Sequence, residues 1–210
     1  MPRAQARIAV CDAADQGDLV QEAAVGDPIH VRGPWRVTPA TSIDVAAVVG
    51  LLEDASRWLR KRGVAQWPHN FAPELVLPAI EADQTWLVHA DEEVVGTLTV
   101  DHDDPAWSDQ PANAAYVHRM AVTRHGAALG TWLLAWVGDQ AHTAGREAIR
   151  LDCVADNTGL CAYYERHGFR WRGDVRVGGA PGERRTGDSS ATLVRRYEKA
   201  AVIKGNPHGS

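Results

Sequence analysis

Apolar residues recur at the spacing of a helix in four stretches of the chain. The first of these follows Thr41, a residue suited to cap a helix, and ends in the basic run before Gly63. Basic residues suit the last turn because the helix dipole favours cations there. The predicted helices cover residues 41–62, 73–82, 130–144 and 158–167.

Elsewhere the apolar residues alternate with polar ones, which is typical of strands. Asp91 and Glu92 separate two such runs and predict a hairpin turn. The predicted strands cover residues 35–39, 85–90, 93–101, 115–122, 148–154, 169–177 and 191–197. Strands that alternate with helices in this order indicate an α/β domain with mixed pairing in its sheet.

The two ends of the chain differ from this patterned region. Residues 1–33 are rich in Ala, Gln, Asp and Gly, and the run Gly26-Asp27-Pro28 interrupts any helix there. We therefore expect an N-terminal tail or loosely attached arm over 1–33, one domain over 34–200 and a C-terminal tail over 201–210.

The composition narrows the classes of protein. The chain has 45% hydrophobic and 23% charged residues and a net charge of -5, which is typical of a soluble globular protein. The negative charge argues against binding to nucleic acid or to anionic membranes. No apolar run is long enough to span a bilayer and no signal peptide is evident, so we expect a cytoplasmic protein. Three cysteines without a Cys-x-x-Cys pair predict neither a metal site nor a redox dithiol.

The stretch from Met120 to Thr131 suggests an anion site. A strand is predicted to end at Val122, small residues follow, and a helix is predicted to start near Gly130. Backbone N–H groups can converge on a pyrophosphate in such a loop, and the helix N-terminus adds partial positive charge. The glycine spacing fits neither a Walker loop nor a dinucleotide fingerprint. An ordinary turn between a strand and a helix is the alternative.

A second informative stretch runs from Asn157 to Phe169. Asn157 opens the last predicted helix, two tyrosines lie near its end, and Gly168 closes it. A capped amphipathic helix with Tyr163 or Tyr164 in the core would produce the same pattern.

Together these two stretches resemble the GNAT superfamily of acetyl-CoA-dependent N-acetyltransferases. Residues 116–122 look like the family's fourth strand and residues 149–153 like its fifth, and the resemblance covers about 35–198. It implies an enzyme with a mixed central sheet of about seven strands, helices on both faces, and a splay between strands 4 and 5. It also implies acetyl-CoA as the cofactor.

The loop departs from the family pattern Gln/Arg-x-x-Gly-x-Gly/Ala. His125 stands where Gln or Arg is usual, and Ala128 stands where Gly is usual. We therefore expect either weaker binding of the cofactor than is usual in the family, or a contact from Arg124 to its phosphates.

The resemblance assigns roles to individual residues. Main-chain groups of Met120 and Val122 would pair with the pantetheine arm, and Asn157 would contact the arm or the acceptor side. Tyr164 matches the position of the family's general acid, and Tyr163 is the competing candidate. A tyrosine suits this role because a phenol stays protonated at neutral pH and can donate its proton. The expected cofactor-binding residues are Met120, Ala121, Val122, Arg124, His125, Gly126, Ala127, Ala128, Leu129, Gly130, Thr131, Asn157 and Tyr164.

His118 is the candidate general base. Strand alternation predicts that Tyr116, His118 and Met120 share one face of the sheet. An imidazole there can take a proton from the acceptor amine directly or through water. The alternatives are Asp101, Asp103, Asp152, or loss of the proton to solvent.

The acceptor is the least defined part of the prediction. Tryptophans near the early helices and an acidic loop after Val100 favour a small molecule with a primary amine, a metabolite or an antibiotic. A GNAT-like module that binds acyl-CoA without catalysis is one alternative. Acetylation of a protein N-terminus or an aminoacyl-tRNA is another. We expect no nucleic-acid or membrane partner and a monomer or homodimer.

Overall fold

The computed structural model describes residues 35–123, 128–178 and 192–201. Within them seven strands form one sheet in the order β1-β2-β3-β4-β5-β7-β6. The strands are β1 (Trp35–Pro39), β2 (Thr85–Ala90), β3 (Glu93–Asp101), β4 (Ala114–Val122), β5 (Ala148–Val154), β6 (Arg170–Val177) and β7 (Thr192–Ala200). The α-helices are α1 (Val45–Arg60), α2 (Leu77–Glu81), α3 (Leu129–Thr143) and α4 (Thr158–Arg166), and short 3-10 turns cover Ser42–Asp44, Pro73–Leu75 and Pro105–Trp107.

The predicted α/β class and element order are confirmed. The backbone N–H of Thr41 donates to the Asp44 carboxylate at 2.8 Å, and this bond opens the 3-10 turn that leads into α1. Gly63 follows α1 with a φ of +77°, a conformation that glycine adopts without strain. The 3-10 turn Pro105–Trp107 lies inside the acidic loop and was not predicted.

The splay between the fourth and fifth strands is also confirmed. β4 and β5 are the parallel pair of the sheet, and residues 114–116 pair with 148–150. β4 then continues to Val122 and β5 to Val154, without further register partners between these described strands. A cleft therefore opens between the two strands towards their carboxyl ends.

A bulge at Arg119 changes the faces of β4. The register with β3 shifts by one residue between Thr97 and Thr99, and Arg119 has a φ of +50°. Tyr116 packs with Trp107, whereas Met120 belongs to the main core cluster with Val117. The predicted common face of Tyr116, His118 and Met120 is therefore wrong for Met120, because the extra residue reverses the alternation.

Helices cover both faces of the sheet. On one face α3 packs on β4 and β5, and the core there includes Val117, Met120 and Tyr164. On the other face α1 packs on β3 and β4, and Ala121 joins the cluster that α1 and α2 form. We call these the α3 face and the α1 face.

Several predictions fall on other parts of the chain. The N-terminal arm, most of the C-terminal tail and the loop residues Arg124, His125, Gly126 and Ala127 lie outside the described residues. In the described part, no helix is long and apolar enough to cross a membrane.

Candidate active site

The cleft between β4 and β5 is the centre of the candidate site. Met120, Ala121 and Val122 lie on the part of β4 that has separated from β5, and their side chains are buried in the core. Their main chain borders the cleft on the side where β5 would otherwise pair. A strand edge of this kind can bind an extended ligand through its backbone groups.

The N-terminus of α3 lies directly beyond β4. Leu129 and Gly130 are buried in its first turn, whereas Thr131 is exposed. Ala128 is the N-cap and makes no side-chain cap hydrogen bond. The first N–H groups of a helix have no acceptor within the helix, so they are suited to bind an anion.

Thr131 connects this turn to the end of α4. Its hydroxyl lies 2.8 Å from Nε2 of His167, and Nδ1 of the same ring lies 2.7 Å from the Tyr163 carbonyl oxygen. A carbonyl only accepts, so Nδ1 donates to it, and Nε2 is the ring atom that faces the Thr131 hydroxyl. Tyr163 stacks on the His167 ring, with 4.1 Å between centroids. A hydrogen bond between Thr131 and His167 therefore links the first turn of α3 to the end of α4.

Tyr164 is fully buried on the α3 face. Its ring contacts Tyr163, Phe169 and Tyr197 at centroid distances of 5.7–5.8 Å. Its hydroxyl has no hydrogen-bond partner among the described residues. Burial raises the pKa of Tyr164 well above 10, and the nearby Cys153 thiol adds to this effect. The phenol therefore keeps its proton at neutral pH.

His118 lies on the α1 face among carboxylates. Its Nε2 is 3.6 Å from Oδ2 of Asp101 and 3.6 Å from Oδ2 of Asp104. Burial raises the pKa of Asp101 to about 6, although the charge of Arg119 opposes this shift. Asp104 is held in place because its other carboxylate oxygen accepts from the Ala106 N–H at 2.8 Å. The Asp101 carboxyl therefore exchanges its proton close to neutral pH.

Asn157 lies at the far end of the cleft, just beyond β5. Its Oδ1 accepts from the Leu160 N–H at 3.2 Å and so caps α4. Its Nδ2 donates to Oε1 of Gln66 at 3.0 Å. The residue that the sequence places at the start of α4 therefore also contacts the segment after α1.

The comparisons with known proteins agree with this geometry. The chain matches the model described as the acetyltransferase (GNAT) family over residues 52–169. The chain belongs to this family. It is 32% identical over 146 residues to YesJ of Bacillus subtilis (strain 168), an uncharacterised N-acetyltransferase, and the match covers 64% of this chain and 81% of YesJ. GNAT membership makes the chain an N-acetyltransferase.

Solved GNAT structures share the fold. A GNAT-family acetyltransferase from Listeria monocytogenes 4b F2365 superposes with a TM-score of 0.62 at 23% identity, over 79% of this chain and 94% of the other. The Salmonella typhimurium protein yncA, whose structure contains its cofactor acetyl-CoA, superposes with a TM-score of 0.57 at 15% identity, over 85% of this chain and all (100%) of yncA.

The residues of this GNAT domain fit its family's cofactor, acetyl-CoA. The cleft offers an open strand edge, the α3 N-terminus offers N–H groups, and the Tyr164 hydroxyl is a buried donor that lacks a partner among the described residues. Thr131 is predicted to bind the cofactor through its backbone N–H, and its side chain also contacts His167.

Several residues near the site were missed by the sequence patterns. The Trp107 ring contacts two guanidinium groups, those of Arg150 and Arg196, each 5.0 Å from the ring centroid. Arg150 donates to the Pro111 carbonyl at 2.6 Å, and Arg196 donates to the Ala106 carbonyl at 2.8 Å. These contacts fix the acidic loop over the α1 face. The sequence shows that Arg150 alternates with apolar neighbours in β5, but it does not reveal that Arg150 contacts Pro111 and Trp107.

Proposed function

We propose that this GNAT domain transfers the acetyl group of acetyl-CoA directly to the primary amine of a small molecule. In this proposal Tyr164 is the general acid and His118 is the general base. The observation that supports it is the contrast between the surroundings of these two side chains on opposite faces of the sheet. A buried phenol lies on the α3 face, and an imidazole among carboxylates lies on the α1 face.

Acetyl-CoA, when bound, supplies an acetyl group activated as a thioester and a thiol as the leaving group. The β4 edge at Met120 and Val122 would hold its extended arm, and the first turn of α3 would hold its pyrophosphate. His118 would take the proton that the amine loses. Tyr164 would donate its own proton to the sulfur as the bond between carbon and sulfur breaks, because a phenol is protonated at neutral pH.

The charge of the α1 face supports an amine acceptor. Asp101 and Asp104 both lie near His118, and an incoming ammonium group is attracted by carboxylates. The net charge of -5 argues against an aminoacyl-tRNA as the acceptor, because a negatively charged protein repels nucleic acid. We also propose a cytoplasmic location and a monomeric or homodimeric state.

The test is a screen of amine acceptors with acetyl-CoA. Thiol release is followed with a chromogenic reagent, and products are checked by mass spectrometry for the addition of one acetyl group. Thiol release that requires an amine and yields the acetylated amine supports the proposal. Saturable binding of acetyl-CoA without turnover on any small amine, protein N-terminus or aminoacyl-tRNA would instead indicate a module that binds acyl-CoA without catalysis.

A further inference from the structure

The segment after α1 packs on the α1 face and contacts the start of α4. Trp67 and Phe71 pack in the cluster that contains Ala121 of β4. The neighbouring Gln66 contacts Asn157, which follows β5. Gln66 therefore contacts the residue that begins α4 after β5, and its neighbour Trp67 packs on the α1 face, the face of His118.

The hydrogen bonds of Asn157 fix the orientation of the Gln66 amide. Oδ1 of Asn157 accepts from a backbone N–H, so its Nδ2 is the atom that faces Gln66 and donates to Oε1. Nε2 of Gln66 is then left with two N–H donors. The side chain is buried, with 5% of the residue exposed, and Nε2 has no partner among the described residues.

A buried amide donor without an acceptor destabilises the protein, and the cost disappears when a ligand supplies an oxygen. The carboxylates around His118, where the amine of the acceptor is proposed to react, restrict the kind of oxygen that the acceptor carries. Asp101 and Asp104 lie on the same face and would repel a free carboxylate of the acceptor. An uncharged carbonyl or hydroxyl oxygen meets no such repulsion.

We propose that Gln66 is a specificity-determining residue whose Nε2 donates to an uncharged oxygen of the acceptor. The acceptor class is then a primary amine that also carries an amide carbonyl or a hydroxyl group, such as an amino-acid amide or an amino alcohol. This inference rests on the proposed acetyl transfer to a small amine, because it assigns the acceptor of that same site.

The test compares acceptors in matched pairs. Each pair contains an amino-acid amide or amino alcohol and the alkylamine of the same size without the oxygen. The parent enzyme is expected to prefer the oxygen-bearing member in kcat/KM by about tenfold, the usual effect of one hydrogen bond. In Gln66→Met this preference is expected to fall to near unity, with KM for acetyl-CoA unchanged.

Two further variants separate binding from folding. Gln66→Glu keeps an oxygen for Asn157 but removes the N–H donors, so it is expected to lose the same preference even if Gln66→Met unfolds. Gln140→Met changes an exposed glutamine on α3 and is expected to keep the preference.

The outcomes are distinct. A preference that persists in both Gln66 variants overturns the assignment of Gln66 but leaves acetyl transfer standing. A rise in KM for acetyl-CoA with an unchanged preference also overturns it, because Gln66 would then bind the cofactor. Absence of turnover across the whole panel contradicts the proposed function, and this inference falls with it.

Discussion

The two faces of the sheet around β4 and β5 differ in the chemistry that they permit. On the α3 face Tyr164 is surrounded by aromatic rings and the Cys153 thiol, and burial keeps its pKa well above 10. On the α1 face His118 is close to two carboxylates, and the pKa of Asp101 is about 6. The surroundings of Tyr164 are apolar, whereas those of His118 are charged. In the proposed reaction the first group would act as the acid and the second as the base.

The division depends on the backbone of β4. Strand alternation directs His118 to the α1 face, and the bulge at Arg119 then directs Met120 to the core on the α3 face. The bulge holds Arg119 in a left-handed conformation, which is unfavourable for a residue with a side chain. The bulge that directs His118 and Met120 to opposite faces therefore requires a strained backbone at Arg119.

The largest expected effect is that of Tyr164→Phe, which removes the buried hydroxyl of the α3 face. We expect turnover to fall about 10²-fold, because the leaving sulfur loses its proton donor. Affinity for acetyl-CoA, measured by calorimetry, is expected to change little. Tyr197→Phe is the matched control, because its hydroxyl donates to Glu165 in the same core. Equal losses in both variants would contradict a specific role for Tyr164.

His118→Gln tests the charged side of the comparison. We expect kcat to fall about tenfold at pH 7, less than the full effect of a general base, because solvent can also take the amine proton. His142→Gln is the control, since this ring contacts the Ala201 carbonyl at the end of α3. A deficit in the His118 variant that disappears as the pH approaches the pKa of the amine would support its role. A deficit that is constant with pH would argue against it.

Asp101→Asn tests whether the charged face destabilises the fold. The folded pKa is raised from 3.8 to about 6, so the stability that Asp101 contributes is full below pH 4 and is lost as the pH rises through 6. At pH 7 the variant is expected to be more stable than the parent by at most about 3 kcal/mol, and near pH 4 the difference vanishes.

Urea unfolding from pH 4 to pH 8 measures this difference, with Asp139→Asn as a control for the loss of a surface carboxylate on α3. A variant that is less stable than the parent at pH 7 would show that the contact with His118 outweighs the cost of burial.

The smallest expected effect on activity comes from Arg196→Met, which loosens the acidic loop over the α1 face. We expect KM for the acceptor to rise a few-fold while kcat is kept, and the free energy of unfolding to fall by about 1–3 kcal/mol. Arg172→Met is the control, because its half-exposed ion pair with Glu198 contributes little. If hydrogen exchange in residues 105–109 stays unchanged, the loop is held by other contacts.

The elements of the fold were predictable because their signals are local. The ends of β1, β2, β3 and β5 match the predicted ones, and the remaining described elements begin or end within a few residues of their predicted ends. The predicted cofactor segments could be located because a strand, a turn and a helix N-terminus follow each other in the chain. The bulge at Arg119 was not predicted, because no glycine marks it and only pairing with β3 reveals the extra residue.

The contacts that define the candidate site join distant parts of the chain. Gln66 contacts Asn157, and Trp107 contacts Arg150 and Arg196, although each appears in the sequence as an ordinary polar or aromatic residue. The sequence by itself determined the α/β class, the order of the elements and the two segments that carry the family pattern, because periodicity and capping act over a few residues. The tertiary structure alone decided which side chains meet across the cleft and which pKa values shift, because burial and charge pairing depend on strand register and on contacts between residues far apart in the chain.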